Sequence, residues 1–106
     1  MNKLNIFDNL PIDKSSEQFT ELSKKEDIRI ERIVSNGQKS KKDFWYDQDE
    51  NEFVMVLEGH AIIEFEDKEI VLHKGDYIDI KAHRKHRVKY TSEKESTIWL
   101  AVFYKS

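Results

Sequence analysis

The hydrophobic pattern of this chain changes period near Asp27. From there Ile28 and Ile30 alternate with Arg29 and Glu31, which predicts a strand with one wet face. The alternation slips at Ile33-Val34, a place for a bulge, and Asn36-Gly37 is a turn signal. Residues 38–43 are a polar loop, and Phe44-Trp45-Tyr46 starts a new extended segment. Phe53 to Leu57 is apolar at every position and predicts a strand buried on both faces. Further strands are predicted at Ala61 to Phe65, Glu69 to Leu72, Tyr77 to Ile80, His86 to Tyr90 and Thr97 to Tyr104. Turns at Glu58-Gly59-His60, Asp67-Lys68 and His73-Lys74-Gly75-Asp76 separate several of them. About eight short strands at this spacing predict an all-β sandwich or barrel.

Upstream of Asp27 the pattern differs. Residues 1–14 mix polar and apolar types and hold the single proline, Pro11. Ser15 is a capping residue with Gln18 three positions later, and Phe19 and Leu22 form an apolar stripe three apart. This predicts a short N-terminal helix over 16–24, packed on the outside of the main body. The organisation is then a 1–26 N-terminal segment with that helix and a 27–106 β-barrel, one domain overall.

Composition narrows the class. A chain of 106 residues suits one compact core. Hydrophobic residues make up 38%, charged residues 37%, and the net charge is -3 with both signs interspersed. That balance argues against a nucleic-acid partner, which needs a basic face. The one basic run, Lys39 to Lys42 broken by Ser40, reads as a solvated loop. Without cysteine, neither a disulfide nor a thiolate zinc site is possible. No apolar run reaches the length of a signal-peptide core or a bilayer span, so the expectation is a cytoplasmic protein with no membrane partner. Three glycines leave no phosphate-cradling loop. The segments Phe53 to Leu57 and Ile98 to Tyr104 are apolar on both faces, and one small barrel interior covers only one. A homodimer is the economical cover for the other.

Side-chain direction singles out the candidate chemistry. Positions two apart on a strand share a face, so Tyr46, Gln48, Glu52, Val54 and Val56 are expected to point into one interior. A carboxylate ahead of a buried apolar run is costly without a cation or hydrogen bonds. Glu52 is therefore either held by a cation or lies at the mouth, still wet or paired with Arg84, Lys85 or Arg87. His86 shares its face with Val88 and Tyr90 and reads as a hydrogen-bonded core histidine or as a ligand. His83 lies three residues earlier and reaches the same point only from the preceding loop. His60 and His73 fall in tight turns and read as surface, Asp47, Asp49 and Glu50 as solvated, and Trp45 and Trp99 as packing residues.

Two segments carry a family resemblance. Glu52 and Gly59, with six residues between them, resemble the end of the first cupin motif, Gly, five residues, His-x-His, three or four residues, Glu, six residues, Gly. Gly75-Asp76 and His86 resemble the start and the histidine of the second, Pro-x-Gly, a gap, Pro-x-Gly, two residues, His. The resemblance implies a cupin-type double-stranded β-helix, a jelly-roll barrel whose pocket often holds one metal ion. Carried over residue by residue, it implies Gln48, Glu52 and His86 as metal ligands, with His83 as a further candidate. A set of amide oxygen, carboxylate and imidazole suits Zn, Mn, Fe or Ni more than Cu(I).

The departures bear on function. Tyr46 and Gln48 stand where the first motif has its two histidines, His73 and Lys81 at the prolines of the second, and His83 at its later glycine. Tyr46 is a fourth ligand, a catalytic acid or base, or a pocket wall; a reference pKa near 10 makes it a poor base unless a metal lowers it. The leading expectation is a metal-dependent site for a small polar molecule, of isomerase, oxygenase or decarboxylase type. The alternative is a non-catalytic domain that binds or senses a small ligand, with or without metal.

Overall fold

Burial alternates residue by residue along Ala61–Phe65: Ala61, Ile63 and Phe65 are buried, while Ile62 and Glu64 are half-buried. Throughout the computed structural model, which describes residues 1–105, such period-two segments form the strands of two antiparallel sheets. The larger sheet runs, side by side, β1 (Gln18–Lys25), β2 (Ile28–Ser35), β8 (Thr97–Tyr104), β3 (Asn51–Glu58) and β6 (Tyr77–Ile80). The smaller runs β5 (Glu69–Leu72), β4 (Ala61–Phe65) and β7 (His86–Thr91). The core lies between the sheets, where Val54, Val56, Trp99 and Ala101 of the larger meet Ala61, Ile63 and Leu72 of the smaller.

The chain passes from the larger sheet to the smaller at the end of β3. The β3–β8 register shifts between Val56 and Glu58, which leaves Leu57 as an extra residue that bends the strand. Gly59 follows with φ +81, and a Cβ there would lie 2.7 Å from Thr97 Cα and 2.8 Å from the Ser96 carbonyl oxygen. Only glycine fits that approach.

The N-terminal region differs from expectation. The helix expected over 16–24 is β1, paired with β2 from Gln18↔Val34 to Lys25↔Ile28, with one irregularity between Glu21 and Ser23. Phe19 and Leu22 satisfy a helical stripe, but the open edge of β2 offers backbone partners that a helix would leave unused. Arg32 then anchors the preceding arm. Its guanidinium is buried and donates to the carbonyls of Ile6 (3.1 Å) and Asp8 (2.7 Å) and to Gln18 Oε1 (3.1 Å). The bulge expected at Ile33-Val34 is also absent, because β2 pairs with β8 in unbroken register from Ile28 to Ser35. Both faces of β2 are buried at that end, which is why its alternation fades there.

The extended segment expected at Phe44-Trp45-Tyr46 shrinks to one bridge, Tyr46↔His86. The polar loop before it lies along the free edge of β7: Ser40 N–H donates to the Val88 carbonyl (2.9 Å) and Val88 N–H to Ser40 Oγ (3.0 Å). Thr91 Oγ1 donates to the Gln38 carbonyl (2.6 Å). An irregular loop thus covers an edge that a strand would otherwise leave open. Among the described residues no helix is long and apolar enough to cross a membrane.

Candidate functional site

A cavity of about 90 Å³ opens between the sheets. Tyr46, Gln48, Glu52 and Val54, which share one sequence parity, all line it, as do His86 and Val88 from β7. The remaining walls are mostly apolar and include Ile63, Ile80, Trp99 and Phe103.

Two side chains meet at Glu52. His86 Nε2 lies 3.2 Å from Glu52 Oε1, and Gln48 Nε2 donates to the same oxygen at 3.3 Å. Side-chain exposure is 4% for His86 and 15% for Glu52. The arginines that the sequence offered as partners for Glu52 are engaged elsewhere, Arg84 with Asp67 (2.7 Å) and Arg87 with Glu64 (3.7 Å). His86 Nδ1 lies 2.9 Å from the Arg84 carbonyl, an acceptor only, so Nδ1 carries a proton and Nε2 is the nitrogen that faces the pocket. Burial works against charge on His86, but the Glu52 carboxylate and the Arg84 carbonyl outweigh it and raise its pKa above the usual histidine value.

This set suits a divalent cation. A carboxylate oxygen and an imidazole nitrogen about 3 Å apart match adjacent ligands on a metal with bonds of about 2.1 Å. The Nδ1–H bond to a backbone carbonyl is the support that metal-bound histidines ordinarily have. Gln48 would have to turn its amide, since it is Nε2 that faces Glu52 here. Among the described residues no three His, Cys, Asp or Glu side chains form a metal-binding group.

His83 lies outside the pocket lining. Its side chain is exposed and pairs through Nδ1 with Asp47 Oδ1 at 2.8 Å, while its N–H donates to the Gln48 carbonyl (2.8 Å). Beside it, Ala82 N–H donates to Asn51 Oδ1 (2.9 Å). These bonds staple the turn before β7 to the segment that carries Gln48. His83 has φ +64. It stands where the motif has a glycine, and histidine is among the residues that tolerate this left-handed region.

Tyr46 is held by a pair of backbone bonds to His86 (2.7 and 3.2 Å), and its ring stacks on the imidazole at 5.4 Å. Burial, then the negative charges of Glu17 and Glu52, raise its pKa above the ordinary phenol value. Its hydroxyl therefore keeps its proton and acts as a donor rather than a base.

Glu17 is the residue that sequence reasoning missed. It sits just before β1, lines the pocket, and accepts a short bond of 2.5 Å from Ser35 Oγ. Ser35 is fully buried and in turn accepts from Trp99 Nε1 at 3.2 Å. Burial raises the pKa of Glu17, against the lowering effect of the Ser35 hydroxyl. Its capping-like neighbours Ser15 and Ser16 read as a helix start, and no local signal turns its side chain inward.

Comparison with solved structures places the geometry among known ones. A protein from Ralstonia eutropha JMP134, described provisionally as a mannose-6-phosphate isomerase, is 40% identical, with all of both chains covered and a TM-score of 0.95. A cupin superfamily protein from Desulfitobacterium hafniense DCB-2 shares the fold at 16% identity and a TM-score of 0.76, covering 92% of this chain and 84% of that one. TT1209 from Thermus thermophilus does so at 16% identity and 0.81, covering 99% and 98%. Comparison with curated proteins found no match. The cupin domain family model matches residues 32–103, a stretch that holds both segments around Glu52 and His86, and this chain belongs to the cupin family.

Proposed function

We propose that the barrel pocket is a small-molecule site built around one divalent cation held by Gln48, Glu52 and His86. The observation that carries this is the meeting of an imidazole nitrogen and an amide on a single carboxylate oxygen, within 3.3 Å, in a mostly apolar pocket. A bound cation would polarise a carbonyl or hydroxyl oxygen of the substrate as a Lewis acid. The chain's own residues do the rest. Tyr46 offers a protonated hydroxyl at the rim, the apolar walls exclude water, and the staple from His83 and Ala82 holds Gln48 in place. Of the reaction classes open to such a site, isomerisation has the support of the likeness to the R. eutropha protein.

A second reading has its own observation. Glu52, His86 and Gln48 already satisfy one another as an ion pair with a donated amide bond, an arrangement that also serves a binding pocket without metal. Calorimetric titration of tag-free, metal-stripped protein with Mn(II), Ni(II) and Zn(II) separates the two. The expected result is a single site that Glu52→Gln and His86→Ala each weaken by more than about tenfold. Tyr46→Phe and His83→Ala should act only weakly. Equal affinity in Glu52→Gln and the parent would leave the metal-free reading standing.

A further inference from the structure

The pocket's charge specifies what it accepts. Its lining contains two carboxylates, Glu17 and Glu52, and neither lysine nor arginine. The arginines near its rim are committed: Arg29, 4.3 Å from the Phe103 ring centre, bonds Glu31 (2.9 Å) and Glu50 (3.2 Å), and Arg84 bonds Asp67 (2.7 Å). A phosphate or other strong anion placed against these walls would be stripped of water with no lysine or arginine to receive it, and with His86 already paired to Glu52.

Glu17 and Glu52 are not equivalent. Glu52 spends one oxygen on His86 and Gln48. Glu17 enters from the β1 side, where Ser35 orients it. The Trp99 indole can only donate, so it takes a lone pair of Ser35 Oγ, and the serine proton points to Glu17 Oε2. Glu17 lines the pocket, and its Oε1 has no protein donor among the described residues. The phenol of Tyr46 feels the charges of both Glu17 and Glu52. We infer that the pocket takes a small molecule with a cationic or neutral hydrogen-bond donor on an apolar frame, and that Glu17 receives that donor. The inference rests on the reading of the pocket as a small-molecule site and does not require the cation.

Three probes of one frame test it: butylammonium, butan-1-ol and butyl phosphate, titrated into metal-free protein at neutral pH. The reporter is the NMR signal of the Trp99 indole N–H, distinguished from Trp45 with a Trp45→Phe variant. Butylammonium should bind tightest and butyl phosphate weakest, with a span of roughly tenfold or more, as one charge-assisted bond gives. Glu17→Gln, which keeps an acceptor for Ser35, should collapse that order; Glu52→Gln should keep it. Zinc affinity measured separately should be unchanged by Glu17→Gln. The inference is overturned if butyl phosphate binds as well as butylammonium, if no probe moves Trp99, or if Glu17→Gln retains the order. Loss of zinc affinity in Glu17→Gln would overturn it too, by making Glu17 a metal ligand. A parent that binds no zinc yet keeps the probe order would instead sink the metal reading alone.

Discussion

Removing the Glu52 carboxylate from the metal-free protein should change its stability with a sign that depends on pH. In the parent, His86 gains a carboxylate partner on folding and its pKa rises above the unfolded value of about 6.5. A histidine with a raised folded pKa contributes its full stabilisation below that unfolded value. The contribution is lost as pH climbs through the folded pKa. Below about pH 6.5 the parent therefore holds a charged hydrogen bond that Glu52→Gln lacks, worth roughly 1.5–3 kcal/mol. The larger penalty of a stranded buried charge does not arise, because His86 in the variant can release its proton. For a chain of this size the loss is on the order of 10 °C in Tm.

Above the folded pKa the geometry reverses the preference. Neutral His86 keeps its Nδ1 proton on the Arg84 carbonyl and turns a lone pair toward Glu52 Oε1 at 3.2 Å, acceptor against acceptor. The amide of Glu52→Gln can donate to that lone pair, so the variant should catch up with the parent and pass it. Urea unfolding of both proteins in chelator from about pH 5.5 to 9 gives the difference directly. Tyr46 also neighbours His86, but its phenol, with a pKa raised by burial, keeps its proton throughout. A stability difference constant across the window would refute the pairing of His86 with Glu52.

Two further predictions concern the frame. Gly75 and Gly59 both have positive φ, but a Cβ at Gly75 meets nothing within 4 Å, whereas at Gly59 it would lie 2.7 Å from Thr97 Cα. Gly75→Ala should cost only the roughly 1–2 kcal/mol of a left-handed alanine, and Gly59→Ala clearly more; equal losses by calorimetry would discount the close approach. The outer face of the larger sheet carries Phe53, Met55, Leu100 and Val102, all only half-buried, beside Tyr77 at 62% exposure. Light scattering should therefore show a dimer at tens of micromolar that Leu100→Glu converts to monomer, and a parent that is monomeric there would remove the idea.

What the sequence made legible were the features that depend on local order. Turn signals around short apolar runs located the strands from Ala61 to Phe65 and from Thr97 to Tyr104, and shared parity anticipated that Tyr46, Gln48, Glu52 and Val54 line one pocket. The N-terminal region failed for a nonlocal reason. Whether Gln18 to Lys25 becomes helix or strand is decided by the open edge of β2, a partner that lies outside any window of local pattern. Glu17 follows from the same event, because only the pairing of β1 with β2 brings it beside Ser35 and Trp99. His83 was ambiguous for a different cause: its spacing from His86 allowed a loop ligand, and nothing in the sequence announced that Asp47 would take the imidazole.

The division of labour around Gln48 explains how a cupin pocket accommodates the loss of two motif histidines. The segment from Tyr46 to Asn51 is positioned largely by bonds that do not involve the pocket-facing groups: Tyr46 by its backbone pair with His86, Gln48 by the His83 amide, Asn51 by the Ala82 amide. A side chain at residue 46 or 48 can change from imidazole to phenol or amide without disturbing those bonds. The left-handed turn at His83 belongs to this frame rather than to the chemistry, and its imidazole faces outward because Asp47 holds it there. With the frame fixed this way, the acceptors that face the pocket are Glu52 and Glu17, one tied to His86 and the other to Ser35. The identity of the ligand then turns on the oxygen that each carboxylate leaves free.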